Sequence, residues 1–285
     1  MHAIDSLLRS ALADKRLNHI EGLHIVTDRL DYRPIDQVFP LFAEQQFFLD
    51  ELQRDKLQGA EVLEIGLGSG VLSIGALRAG AKRVTALEIN PRAKVFAGFN
   101  AMVNGVADRL VILDGHEQIF HPVEGRRFDY IVSNPPFEPT PPGMSYFYHS
   151  AAGPYGLDFL DKLFAGLDAH LADDGHAQIV TAAPGNAAEP TLLVELCRTH
   201  LQGRTRIVRN AVTMTFDAIM DRLAAKEMGP TSGVDALREM ARRDGVTHIH
   251  LCVIHHDKGP KELRVETSER IYEDIWDLPA QEIVL

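Results

Sequence analysis

Glu61-Val62-Leu63-Glu64-Ile65-Gly66-Leu67-Gly68-Ser69-Gly70 is an apolar run that ends in an acid and passes into three alternate glycines. It has the pattern of a buried strand entering a tight loop, followed from Val71 by a helix whose first N–H groups lack intrahelical partners. Glycine lets such a loop take positive φ and lets a ligand approach the backbone closely. A dinucleotide fingerprint, G-x-G-x-x-G, needs its third glycine at position 71, where this chain has Val71. The spacing G-x-G-x-G, with Glu64 two residues ahead, favours S-adenosylmethionine (SAM) over NAD. The sulfonium donor has an α-amino group and no pyrophosphate, so it is attracted by a carboxylate that would repel a phosphate. Glu64, Gly66, Gly68 and Gly70 are therefore expected to hold the cofactor; a glycine turn without a ligand is the alternative.

Outward from this stretch the elements alternate. Strands are expected at 62–65, 84–88, 110–113, 128–132 and 177–181, and helices at 71–79, 91–104 and 157–171. That alternation predicts an α/β, Rossmann-like parallel sheet with right-handed crossovers. Pro91 just inside a helix start and Gly80 just past a helix end support the boundaries. Acids at strand ends lie where open α/β sheets bind ligands. Glu88 is placed to accept from both hydroxyls of a ribose, and Asp114 from an adenine amino group, although acids at such positions also cap helices.

Ser133-Asn134-Pro135-Pro136-Phe137 follows the fourth strand, beside the glycine loop. Its chemistry suits methyl transfer to an amide or arylamine nitrogen, whose delocalised lone pair is a poor nucleophile. The Asn134 side-chain oxygen and the Pro135 carbonyl can each accept one N–H, drawing the nitrogen towards tetrahedral geometry and freeing its lone pair. The prolines stiffen the loop without offering a competing N–H. Phe137 can stack on the planar group and Pro136 can line its site. Asn134, Pro135 and Phe137 are the candidate catalytic residues, and Asn134 is counted with the cofactor site as well. A simple turn after a strand is the alternative.

On these motifs the chain resembles the class I SAM-dependent methyltransferases of the Asn-Pro-Pro-aromatic group, nearest in its core to the release-factor glutamine methyltransferase branch. Gly153-Pro154-Tyr155-Gly156-Leu157-Asp158 is similar to that branch's Gly-x-Asp-Gly-Leu loop, with Tyr155 in place of the acid. Arg33-Pro34 is similar to its Arg-Pro-x-Thr-Glu segment, with Asp36 and Gln37 replacing Thr and Glu. The resemblance covers roughly residues 31–190 and implies a seven-stranded sheet whose last strand is antiparallel.

The rest of the chain is divided into an N-terminal helical segment, 1–58, and a methyltransferase domain, 59–285, with a helical insertion at about 216–245. Ile4, Leu7, Leu8, Ala11 and Leu12 share one helical face, a turn is expected at 31–37, and a second helix at about 39–52. Further strands are expected at 206–212 and 247–254. In the insertion, Phe216, Ile219, Met220, Leu223 and Ala224 form one apolar face and Leu237, Met240 and Ala241 another, separated by Gly229-Pro230-Thr231-Ser232-Gly233. This hairpin is expected over the substrate side; the alternative is a contact in a homodimer. His248, His250 and Cys252 share a strand face that is read as half-polar, with no metal assigned.

From Phe137 to Asp158 there is no Lys or Arg, while Phe137, Tyr146, Phe147, Tyr148, His149 and Tyr155 are present. Tyr146, Tyr148, His149 and Tyr155 are accordingly candidates for an aromatic-lined substrate pocket. The formal net charge of −11 disfavours nucleic acid. Cys197 and Cys252 lack metal or redox spacing, and there is neither an apolar run of membrane-spanning length nor a signal-peptide pattern, so a cytoplasmic protein with no membrane partner is expected. The expected activity is N-methylation, from SAM, of a small amino-acid-derived or heteroaromatic metabolite. The alternatives are a protein glutamine methyltransferase, and a SAM-binding protein that transfers no methyl or uses SAM for another alkylation.

Overall fold

The computed structural model describes residues 14–143, 152–225 and 231–273. The Glu61–Ile65 strand, β3, lies inside an eight-stranded sheet and is buried on both faces. Val62 packs with Leu72, Ile74 and Val84 on one side, while Leu63 and Ile65 pack with Ile131 and Phe164 on the other. That double burial is why the strand reads as a continuous apolar run and not as an alternation.

The other strands of the sheet are β4 (Arg83–Glu88), β5 (Leu110–Asp114), β6 (Phe128–Ser133), β7 (Leu171–Gly185), β8 (Gly203–Thr215), β9 (His248–Lys258) and β10 (Glu262–Thr267). Their spatial order is β10-β8-β9-β7-β6-β3-β4-β5. β9 runs antiparallel to β7 and β8, and every other pairing is parallel. From β3 the chain steps outward through β4 to β5, then returns to lay β6 on the opposite side of β3. This reversal opens a crevice at the carboxyl ends of β3 and β6, where ligands bind in such sheets. The expected α/β Rossmann-like fold is present. The sheet has one strand more than the resemblance implies, because the chain continues past the antiparallel strand and adds β10 beside β8.

The helices are α1 (Ala43–Asp50), α2 (Arg54–Leu57), α3 (Val71–Arg78), α4 (Pro91–Val103), α5 (Asp158–His170), α6 (Thr191–His200), α7 (Phe216–Ala225) and α8 (Thr231–Arg243). No described helix is long and apolar enough to cross a membrane. The insertion does form two helices, α7 and α8. Phe216, Ile219, Leu223, Val234, Leu237 and Ala241 share an apolar cluster with Ile249 of β9. Gly229 and Pro230 of the expected bend, and the expected helix at 4–12, lie outside the described residues.

The segment ahead of the sheet is not wholly helical. Lys15–Ile20 (β1) and Leu23–Asp28 (β2) form an antiparallel hairpin, closed by Glu21 and Gly22, which both have positive φ (46° and 74°). Two consecutive positive-φ residues give the tight reversal that matches strand twist. The hairpin hides in the sequence because the buried face of β1 carries Arg16 and Asn18 beside Ile20, so no apolar alternation shows. Asn18 Nδ2 is satisfied by the Ile25 carbonyl at 2.9 Å and Thr27 Oγ1 at 3.0 Å.

β2 docks on α4 through side-chain amides standing in for a partner strand. Asn100 Oδ1 accepts from the Val26 N–H at 2.8 Å, and Asn100 Nδ2 donates to the Val26 carbonyl and to the Ser69 carbonyl, both at 2.9 Å. Asp28, fully buried, takes Arg92 Nη2 at 2.6 Å and the Val38 N–H at 2.9 Å. These bonds fix the course of the chain from Leu30 to Phe42 along the crevice.

Candidate active site

A cavity of about 640 Å³ occupies the crevice. Its floor is the turn out of β3, where the Gly66 and Leu67 N–H groups donate to the Leu87 carbonyl at 3.0 and 3.2 Å and fold the loop against the end of β4. Gly66 and Gly68 have φ of 78° and 52°, and a Cβ built on either would meet nothing within 4 Å. Both glycines therefore serve the left-handed turn and leave the cavity wall bare for a ligand. Gly70, expected with them, has a different task. It does not line the cavity, and a Cβ there would lie 3.0 Å from that of Ala97, so this glycine lets α3 and α4 approach each other.

Glu88 closes the loop from the end of β4. Its Oε2 accepts from the Gly68 N–H at 2.7 Å and its Oε1 from the Asn90 N–H at 2.8 Å. Each oxygen keeps a second lone-pair direction, so the carboxylate can shape the loop and still receive ribose hydroxyls. Burial raises its pKa against the effect of these amides. Glu64, 1% exposed, also lines the cavity. Its Oε2 accepts from the Ser73 N–H at 2.9 Å and from the Ser73 hydroxyl. Burial pushes its pKa up to about 8, with the nearby Glu88 adding to the rise. Ser73, in the first turn of α3, escaped the sequence reading because an isolated serine in an apolar helix carries no motif.

Asp114 is not at the site. Its side chain is 88% exposed, pairs with Lys94, and is absent from the cavity wall. The last residue of β5 turns outward, and the wall there is made by Gly115, His116 and Ile119. The acid-at-strand-end rule located the right turn but the wrong residue.

Ser133, Asn134, Pro135, Pro136 and Phe137 lie as the strand ending predicts. Ser133 Oγ donates to the Ile65 carbonyl at 2.7 Å, pinning the end of β6 to the end of β3, and Asn134 through Phe137 line the cavity. Asn134 Oδ1 is buried and has no hydrogen-bond partner among the described residues. A buried acceptor left unpaired costs about 1–3 kcal/mol, so its orientation is that of a group awaiting a donor. Gly156, with φ of 74°, lies under this loop: a Cβ there would come within 2.0 Å of the Phe137 carbonyl oxygen.

Tyr155 is corrected from substrate contact to tether. Its hydroxyl donates to Asp244 Oδ2 at 2.6 Å, its ring meets Phe216 edge-on, and it does not line the cavity. Tyr146, Tyr148 and His149 lie outside the described residues. His250 is fully buried, and its Nε2 bonds the Asn186 carbonyl at 2.8 Å.

Two further parts of the wall come from outside the glycine and Asn-Pro-Pro-Phe loops, and only the second, the insertion, was expected over the substrate side. The chain from Leu30 through Gln45 contributes Arg33, Phe42, Glu44 and Gln45, and α7 contributes Ile219, Arg222 and Leu223. Glu44 is 5% exposed, and burial raises its pKa to about 7.

The chain is similar to known proteins in part of its sequence and in its fold. The family model for ribosomal protein L11 methyltransferase (PrmA) matches residues 45–135. A solved SAM-dependent methyltransferase from Agrobacterium tumefaciens superposes with a TM-score of 0.55 at 16% identity, over 86% of this chain and 71% of that one. The domain has the fold of the SAM-dependent methyltransferases. A solved methyltransferase from Pyrococcus furiosus has the same fold, with a TM-score of 0.50 at 18% identity over 89% of this chain and 97% of that one. Among curated proteins, one from Methanocaldococcus jannaschii, described as "Putative protein N5-glutamine methyltransferase", is 34% identical over 131 residues, which is 45% of this chain and 64% of that protein. A ribosomal protein L11 methyltransferase from Actinobacillus pleuropneumoniae is 44% identical over 87 residues, 30% of this chain and 27% of the relative. The chain thus spans less than two thirds of these relatives' lengths.

Proposed function

We propose that this methyltransferase domain transfers a methyl group from SAM to a planar, weakly nucleophilic nitrogen of amide or arylamine type. The observation that carries this is the unpaired, buried Asn134 Oδ1 at the cavity wall, beside the bare Gly66–Gly68 turn. SAM supplies an electrophilic methyl on a sulfonium. Glu88, with Gly68 beside it, is the proposed holder of the ribose, and Glu64 faces the cationic end of the donor. Asn134 Oδ1 and the Pro135 carbonyl accept the N–H groups of the acceptor, orient its lone pair for in-line attack and stabilise the positive charge that grows on nitrogen. Phe137 holds the planar group, and the loop's prolines keep the two acceptors from rearranging. Removal of the nitrogen's proton after transfer needs no strong base, because an N-methylated cation of this type is acidic.

A small amino-acid-derived or heteroaromatic acceptor is favoured by the α7 wall, since Ile219 and Leu223 add apolar side chains to the cavity lining. A protein glutamine side chain is the second reading, supported by the M. jannaschii relative's description. To separate them, the protein is incubated with methyl-labelled SAM and a cell extract divided by dialysis. Label in the low-mass fraction, lost in Asn134→Ala, fits the first reading, and label in protein hydrolysates as N-methylglutamine fits the second. Label on oxygen, carbon or sulfur in both fractions overturns the nitrogen assignment.

A further inference from the structure

Resting on that reading, the part of the cavity wall supplied by α1 bears on the acceptor. Glu44 stands in the first turn of α1, 5% exposed, on the same cavity as Asn134. Its setting is built. The Phe42 N–H donates to Gln45 Oε1 at 2.7 Å, and Gln45 Nε2 donates to Glu44 Oε1 at 3.1 Å. The Gln45 amide is thereby fixed in one orientation, and it holds one oxygen of the Glu44 carboxylate.

No cation among the described residues pairs with that carboxylate, and no described side chain besides Gln45 donates to it. The side-chain bond that caps α1 uses Gln45 and not the acid. A buried carboxylate that receives only neutral donors, here the Gln45 amide and its own backbone N–H, is costly unless a ligand completes it. The donor's own charges are provided for elsewhere. Glu64 and Glu88 lie at the glycine loop, near enough for one to raise the pKa of the other, whereas the rise of Glu44 comes from burial, against its local hydrogen bonds.

We propose that Glu44 anchors a positively charged, N–H-bearing group of the methyl acceptor, an ammonium or guanidinium carried on the same molecule as the nitrogen that is methylated. The acceptor then bridges the cavity, with its planar nitrogen at Asn134 and its cation at Glu44. Arg33 and Arg222, on the same cavity, add positive charge to its rim, so a simple polycation is a poor fit. A compact molecule with one cationic group and one amide-like or heteroaromatic nitrogen is the class selected.

The test uses propylguanidinium and its neutral counterpart propylurea as probes, titrated by ligand-observed NMR with and without SAM, on the unmodified chain and on Glu44→Gln. We expect the unmodified protein to prefer propylguanidinium at least fivefold, and Glu44→Gln to lose that preference while its SAM affinity stays within twofold. Equal binding of the two probes to the unmodified protein overturns the proposal without recourse to any variant. A loss of SAM affinity of tenfold or more in Glu44→Gln also overturns it, by giving the carboxylate to the donor's amino group. Failure of the unmodified protein to bind SAM would refute the methyltransferase reading, while the probe preference measured without SAM would still judge Glu44.

Discussion

Replacing Glu88 by alanine removes one side chain that performs two tasks, and the structure lets each be weighed. The carboxylate receives the Gly68 and Asn90 N–H groups at 2.7 and 2.8 Å, bonds that hold the glycine loop against the end of β4. A hydrogen bond to a charged acceptor contributes about 1.5–3 kcal/mol, but removing a buried carboxylate also removes its desolvation cost, so the net loss of stability in Glu88→Ala should be about 1–3 kcal/mol. The same substitution deletes the proposed acceptor for two ribose hydroxyls and lets Gly68 move. SAM affinity should fall by about ten- to a hundredfold, equivalent to roughly 1.5–3 kcal/mol. Isothermal calorimetry gives the affinity, and thermal unfolding without SAM gives the stability term separately. Glu88→Gln keeps one acceptor and sets an NH₂ against an N–H, so it should fall between the two on both measurements. Unchanged SAM affinity in Glu88→Ala, with the protein folded, would refute the assignment; a stability loss alone would leave Glu88 as a brace for the loop and nothing more.

Asn134→Ala should keep SAM affinity within about threefold and lose about a hundredfold or more in turnover, as for other preorganised groups that act only on the reacting centre; methyl transfer to the identified acceptor at the unmodified rate would show that Asn134 is only a turn residue. Gly156→Ala should displace the Phe137 carbonyl and lower turnover more than SAM affinity, measured by the same two assays, because the added Cβ would lie 2.0 Å from that oxygen. For Glu64, folding raises the carboxyl from 4.5 to about 8, so between these values the folded chain holds a proton that the unfolded chain releases. Its contribution to stability therefore falls as pH rises through that window. SAM, whose positive charge favours the ionised form, should bind more tightly as pH approaches 8 and should release a proton on binding. Calorimetry in buffers of different ionisation enthalpy measures that proton, and Glu64→Gln should abolish both slopes; a flat pH profile in the unmodified protein would count against Glu64 as the cation's partner.

What was legible from sequence followed from local chemistry. β3, its glycine turn and the Asn-Pro-Pro-Phe loop each declare themselves because backbone conformation and burial restrict which residues can stand there. Gly66 and Gly68 could not be told from Gly70, since all three have positive φ; only the packing of α3 on α4 separates a glycine facing a ligand from one facing Ala97. Asp114 and Glu88 end adjacent, paired strands, and nothing in their spacing reveals that one side chain points into the crevice while the other pairs with Lys94 at the surface. Tyr155 was legible as an aromatic near the site, but its partner Asp244 is distant in sequence. Glu44 was invisible for the opposite reason: an acid in the first turn of a helix is the commonest of patterns, and only the tertiary fold buries this one.

Asn100 deserves a last consequence. One side chain on α4 grips the hairpin at Val26 and, through the same amide nitrogen, the Ser69 carbonyl of the glycine turn. A shortened chain that begins at the sheet and omits the hairpin would leave this amide with two of its three bonds missing, and the turn would lose its outer brace. Attempts to transplant the sheet alone, or to fuse another protein in place of the first sixty residues, should then yield a folded sheet with a slack turn. The hairpin, none of whose own residues lines the cavity, would register in such chimeras as a weakened grip on SAM.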